Sequence, residues 1–233
     1  MTRLDPKRRA MRDDQKEERR QAILAAAWQL FQGATYETIT MVEVAQALGL
    51  AKGTVFLYFK TKEALFLALV EQQLTIWFAE VDARLADLGA ACTRQQVTEV
   101  LCQALEDHPG LTRLLAILHT ILEQNIDFDA ALRFKYLLLE HFEHTGAQLE
   151  RCLPFLAPGQ GAHLLLQCHA LVIGLWHLSD PAPVVQQVLR NADLSMFKVQ
   201  FAAEFSSVLQ ALLYGLERTA QSTHRVSPQE EIS

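Results

Sequence analysis

Cysteine is scarce in this chain: Cys92, Cys102, Cys152 and Cys168 are the only four in 233 residues, and no two stand in C-x-x-C spacing. That argues against a structural zinc site and predicts free thiols, as in a cytoplasmic protein. No run of about 18 apolar residues is free of polar interruptions, so no membrane-spanning helix and no membrane partner are expected. The N-terminal stretch is charged and lacks an apolar h-region, which predicts no signal peptide. A Gly-rich phosphate loop and a G-x-S-x-G nucleophile elbow are also missing, so no catalytic residue, cofactor or enzymatic activity is expected. Alternation at period two is absent and every long segment has helical period, which predicts an all-α chain of about nine or ten helices without internal repeats.

What is present is a globular composition, 50% hydrophobic and 21% charged, with room for a small and a larger domain. The net charge of −6 argues against a nucleic-acid partner only if it is taken as one number. Residues 1–62 hold 11 Lys or Arg against 7 Asp or Glu, a balance of +4, whereas residues 63–233 hold 10 against 20, a balance of −10. Such a split is expected when one domain meets phosphate and the other does not. Residues 1–14 carry Arg3, Lys7, Arg8, Arg9 and Arg12 around Pro6 with almost no apolar residue. They are expected to form a disordered basic arm, either a minor-groove contact or a solubilising tail.

From about Gln15 to Gln32 the residues Ile23, Ala27, Leu30 and Phe31 fall on one helical face, a bracing helix. The most informative stretch follows, residues 40–62, TMVEVAQALGLAKGTVFLYFKTK. Thr40 and Glu43 have the spacing of a capping box, Val44, Ala45 and Leu48 share a face, and Gly49 supplies a left-handed stop. A second short helix begins near Ala51, with Val55 and Phe59 four apart and turned inward. Gly53 costs that helix about 1 kcal/mol against Ala, a cost that makes sense where another backbone comes close. Thr61 caps the next helix and leaves Lys62 in its first turn, where the dipole disfavours a cation unless an anion such as a phosphate lies there.

These residues carry a resemblance. The run ITMVEVAQALGLAKGTVFLYFKTKEALF, within residues 17–68, resembles the signature of the TetR family of transcriptional regulators. Three positions depart from the family pattern: Ala51 and Phe56 replace its usual serine and tyrosine, and Thr35 its usual glycine. The resemblance implies a helix-turn-helix DNA-binding domain over residues 15–62, a helical ligand-binding and dimerisation domain over 63–218 and a flexible tail over 219–233. Double-stranded operator DNA is the implied partner. Thr40, Lys52, Tyr58 and Lys62 are the expected phosphate contacts, with Thr54 and Phe56 nearest the base edges and Gly53 allowing close approach. Lys52 reaching a guanine and Phe56 pressing on a thymine methyl are the base-reading alternatives.

Beyond Lys62, the residues Leu67, Val70, Leu74, Trp77, Val81, Leu85 and Leu88 form one stripe, so a single long helix leaves the first domain and enters the second. Thr93 with Gln96 gives another capping box, Asp107-His108-Pro109-Gly110 reads as a turn, and helices are expected over 111–124 and from about 128 to 153. Residues 162–178 are apolar nearly all round, and a last helix is expected from about 194 to 218. In the family the last two long helices pair with their twins, which implies a homodimer here; burial within a monomer core is the other reading. A ligand pocket is implied too, for a small apolar or aromatic molecule. Its candidate lining residues are Trp77, Phe78, His119 with Glu123, Phe134, His141, His169 and Trp176. His141 and His144 beside Glu140 and Glu143 have helical ligand spacing but no third ligand, so no metal is expected. The functional expectation is a repressor released from DNA by a small molecule. Activation, response to a partner protein and a helical small-molecule enzyme are the alternatives.

Overall fold

A computed structural model describes residues 6–90 and 92–226, and among these every regular element is helical. Ten α-helices follow in order: α1 (Pro6–Gly33), α2 (Met41–Ala47), α3 (Lys52–Tyr58), α4 (Lys62–Leu88), α5 (Arg94–Glu106), α6 (Pro109–Ile117), α7 (Phe128–Cys152), α8 (Gln160–Ser179), α9 (Pro183–Val188) and α10 (Phe201–Val226). A π turn (Leu118–Leu122) and a 3-10 turn (Glu123–Asn125) connect α6 to α7, and a second 3-10 turn (Ala192–Phe197) precedes α10.

The first domain's core joins Ile23, Leu24, Ala27 and Phe31 of α1 with Val44 and Ala45 of α2, Val55 of α3 and the start of α4, with α1 packed on α2 and α4 and α2 on α3. Its caps form as the residue types dictate. Thr40 Oγ1 accepts from the Glu43 N–H at 3.2 Å while Glu43 Oε2 accepts from the Thr40 N–H at 2.7 Å. Gly49 takes φ 63, the left-handed value that a Cβ disfavours. Thr61 caps α4 by accepting from the Ala64 N–H at 3.0 Å, whereas Ala51 gives α3 no side-chain cap. The α4 stripe is buried along its length, from Leu67 and Val70 through Trp77 to Leu85, so α4 supplies core to both domains.

Several elements differ from expectation. Helix α1 begins at Pro6, so the greater part of the expected disordered arm is helical; residues 1–5 lie outside the described residues. Low apolar content was the wrong guide there, because residues 7–12 are Lys, Arg, Ala and Met, good helix formers behind a proline at the first position. At the other end α10 runs to Val226, taking in much of the expected flexible tail, and residues 227–233 are not described. The helix expected from 194 is interrupted: Asn191 Oδ1 accepts from the Asp193 N–H at 3.1 Å and starts the 3-10 turn, and Phe197 is left exposed. Likewise α6 starts at Pro109 itself, and the helix expected over 111–124 passes through the π turn.

By length and composition alone α4 and α8 would each suffice to cross a membrane. Core burial accounts for α4, 61% of whose apolar window is covered. Only 28% of the α8 window is covered, and Leu166 and Leu178 stand out from it. One side of α8 is packed tightly: Gly146 of α7 and Gly161 of α8 meet back to back, where a Cβ on either would strike the other helix's backbone. Among the described residues, Leu166 and Leu178 on α8 are left uncovered.

Candidate DNA interface and ligand cavity

Helix α3 presents its exposed face around Lys52, Gly53, Phe56 and Leu57, with Val55 fully buried behind it. Lys52 Nζ lies 5.5 Å from the centre of the Phe56 ring, one turn away. A Cβ placed on Gly53 would meet nothing within 4 Å, so the protein's own packing does not require glycine there. Thr54 and Tyr58, expected among the contacts, are half-buried on the flank of the helix. Leu57, absent from the expected contacts, is 82% exposed. Its signal was available: with Val55 facing inward, a residue two positions on points away from the core at about 200°.

The remaining expected contacts are engaged internally. Thr40 Oγ1 donates to Glu43 Oε2 at 2.9 Å in addition to capping α2. Lys62 turns back over its own domain, donating to the Tyr36 carbonyl with its ammonium 3.9 Å from the Tyr36 ring centre. Burial there holds Lys62 below the usual lysine pKa. The same burial, with Glu63 accepting from Tyr36 Oη at 2.9 Å, pushes the tyrosine well up. Lys60, by contrast, is exposed beside the α4 N-terminus and was not among the expected contacts.

In the second domain a cavity of about 30 Å³ lies behind α4. Its walls are Leu74, Trp77 and Phe78 of α4, Leu111 and Leu115 of α6, Leu105, Phe142, and Leu165, Cys168, His169 and Val172 of α8. Of the candidate lining residues, Trp77, Phe78 and His169 are therefore in the wall. The others are elsewhere. His141 stacks on the outer side of Phe78, rings 4.7 Å apart and 7° from parallel, and Phe142, one residue on, takes the lining position. Phe134 is wholly buried under α7, and Trp176 packs edge-on against Phe201 of α10 at 6.0 Å. Each has the helical phase of a core residue, and phase alone does not separate core from cavity wall. His144, the other half of the metal-like pair, meets Gln148 at 3.2 Å and Asp82 at 3.4 Å.

His119 belongs to a polar chain beside the cavity. Its Nδ1 is 2.6 Å from Glu123 Oε2, its Nε2 is 3.2 Å from His169 Nε2, and Lys135 donates to Glu123 Oε1 at 2.5 Å. A carboxylate only accepts, so His119 Nδ1 carries a proton, and the two facing Nε2 atoms share one between them. Burial, aided by the charge at Lys135 and by His119, lowers the His169 pKa to about 4 and keeps its imidazole neutral. Burial likewise raises Cys168 to about 12, which keeps it a thiol. Trp77 is 7% exposed, and among the described residues its Nε1–H is the buried side-chain polar group with no hydrogen-bond partner.

The cavity is mechanically close to the DNA-binding domain. Helix α6, which supplies Leu111 and Leu115 to the wall, also carries Arg113, whose guanidinium donates to the Phe31 and Ala34 carbonyls at 2.9 and 2.6 Å. Those carbonyls close the end of α1. Gly110, at the start of α6, lies against the Trp28 ring so closely that a Cβ would collide with it. His108, just ahead of α6, is 2.5 Å from Glu80 of α4, and Arg84 pairs with Asp107 at 2.6 Å.

Comparison with known proteins fits this geometry. Residues 23–69 match the family described as "Bacterial regulatory proteins, tetR family", and residues 71–220 match "Tetracyclin repressor-like, C-terminal domain". The chain belongs to the TetR family. It is a DNA-binding transcriptional regulator of the helix-turn-helix type. Among curated TetR-type relatives it is 26% identical to the HTH-type transcriptional regulator RutR of Escherichia coli K12, over 73% of this chain and 78% of that one. Among solved structures its fold resembles the repressor AlkX from Dietzia sp. (TM-score 0.53, 17% identity, 85% of this chain and 95% of that one). It also resembles FadR from Bacillus subtilis, solved in complex with stearoyl-CoA (TM-score 0.52, 17% identity, 83% and 96%).

Proposed function

We propose that this TetR-family regulator is a cytoplasmic homodimeric repressor that holds an operator when free and leaves it when a small molecule enters the cavity behind α4. DNA is read by the exposed face of α3, with Gly53, Phe56 and Leu57 toward the bases and Lys52 and Lys60 toward phosphates. Thr54, Tyr58, Thr40 and Lys62 flank that face, Thr40 and Lys62 reaching a phosphate after giving up their internal partners. Two copies joined through α8 and α10 set the reading helices about 34 to 36 Å apart, one helical turn of DNA.

One observation carries the ligand-responsive part: α6 forms a wall of the cavity and, two residues from that wall, holds the end of α1 through Arg113. A cavity of about 30 Å³ has room for about one water, so a larger guest must push its walls apart. Outward movement of Leu111 and Leu115 carries Gly110 and Arg113 with it and turns α1, while Trp77 loads α4. Only a guest with different affinity for the two arrangements shifts them, and couplings of about 1 to 3 kcal/mol are typical. The small free volume also favours a second reading, in which a partner protein acts on the second domain.

The test begins with a duplex selected from a random pool by the purified protein, then screens small molecules for release. Arg113→Met keeps the stem over Phe31 and removes both hydrogen bonds to α1. Compounds that release the unmodified protein should leave this variant bound at concentrations at least tenfold higher, a shift within the usual range of allosteric coupling. Equal release from both proteins would remove α6 from the mechanism, and failure to prefer any duplex would sink the regulator reading.

A further inference from the structure

We infer that the cavity behind α4 takes a neutral, largely apolar molecule carrying one carbonyl-type hydrogen-bond acceptor, which the Trp77 indole N–H holds. The inference rests on the ligand-responsive reading above and adds the chemistry of the guest. Its basis is the buried Nε1–H of Trp77, which has no partner among the described residues and belongs to a lining residue whose neighbours in the wall are Leu, Phe and Val side chains with Cys168 and His169. A buried donor without a partner is rare in folded proteins, and an acceptor brought to it removes the desolvation penalty that an all-carbon guest would leave in place. A ketone, ester, lactone or amide oxygen fits that requirement.

Charge is excluded by what the wall lacks. No carboxylate lines the cavity to meet a cation, and no Lys or Arg lines it to meet an anion. Beside the wall, Lys135 is committed to Glu123 at 2.5 Å, and His119 Nδ1 donates to the same carboxylate at 2.6 Å. His169, the other polar group in the wall, is already occupied at Nε2 by His119 and stays neutral. A desolvated ion with no counter-charge is disfavoured far more strongly than a neutral carbonyl.

Four matched probes test this on the full chain: acetophenone, ethylbenzene, benzoate and benzylamine, titrated while the indole N–H resonances of Trp28, Trp77 and Trp176 are followed by NMR. Trp77→Phe assigns the Trp77 signal and removes the donor while keeping an aromatic wall. Acetophenone should move the Trp77 N–H downfield and bind about fivefold more tightly than ethylbenzene, the usual net worth of one neutral hydrogen bond. The preference should vanish in Trp77→Phe, and both ions should bind at least tenfold more weakly than acetophenone.

Equal binding of ethylbenzene, a preference that survives in Trp77→Phe, tighter binding of either ion, or no movement of the Trp77 resonance with any probe overturns the inference. Should Trp77→Phe fail to fold, the direction of the indole shift and the probe ranking in the unmodified protein decide. Release of the selected duplex is measured separately. Acetophenone seated at Trp77 with the duplex still bound supports this inference and defeats the regulatory reading. Benzoate that fills the cavity and releases the duplex does the reverse.

Discussion

At Gly53 and at His169 a single residue has a calculable effect on stability. In the middle of α3, Gly53 has open space where its Cβ would be, so Gly53→Ala should stabilise the protein by up to about 1 kcal/mol. The added methyl stands on the face turned outward, and affinity for the selected duplex should fall by about tenfold or more if DNA backbone packs there. Chemical denaturation and a binding titration on the same variant check the pair of effects, and unchanged affinity would take Gly53 off the interface. His169 is held neutral by burial, its pKa lowered from 6.5 to about 4, with His119, Glu123 and Lys135 as its charged or titratable neighbours. As pH falls through that window the unfolded chain takes up a proton that the folded one does not, so this stability is complete above about 6.5 and drains toward 4. Between pH 7 and pH 5 the loss from this group is on the order of 2 kcal/mol. His169→Gln should unfold in urea with a correspondingly shallower dependence on pH.

At the scale of the element, local chemistry made some features legible and long-range contact hid the others. The caps of α2, α4 and α5 were readable because each is set within four residues: Thr40 with Glu43, Thr61, and Thr93 with Gln96. The α4 stripe was readable because a single helix carries it into both domains. The cavity wall was not. It takes residues from five helices, and Trp176 or Phe134 has the same helical phase as Trp77 or Phe78. What separates them is the neighbour that each meets: Phe201 packs on Trp176, whereas no described residue bonds the Trp77 N–H. Arg113 passed unnoticed for the same reason. Its partners are the Phe31 and Ala34 carbonyls, some 80 residues away in sequence, and main-chain acceptors leave no mark in the residue pattern. Thr54 and Tyr58 lie half-buried on the flank of α3, because a helix turns about 100° with each residue and Val55 takes the inward position.

For the whole molecule, the apolar surface left over by one chain is the main constraint on how it works. Leu166 and Leu178 on α8, and Val208 and Tyr214 on α10, are 50%, 58%, 37% and 52% exposed. Between them Gly174 and Gly215 have no neighbour within reach of a Cβ, so a second pair of helices can approach closely. Buried against a twin, such faces would form a four-helix interface with an apolar centre, the kind of surface that homodimers bury. A reader as short as α3 gains from this directly, since two linked heads convert the second contact with DNA into an intramolecular event. Sedimentation at micromolar concentration should therefore report a dimer. Leu166→Arg, which places a charge mid-face without touching the buried side of α8, should give a folded monomer whose helical content is unchanged. That monomer should bind the selected duplex at least a hundredfold more weakly, in line with the lost avidity. A monomeric unmodified protein, or a Leu166→Arg variant that stays dimeric and binds normally, would move the interface away from α8 and with it the geometry by which the cavity sets the spacing of the two reading helices.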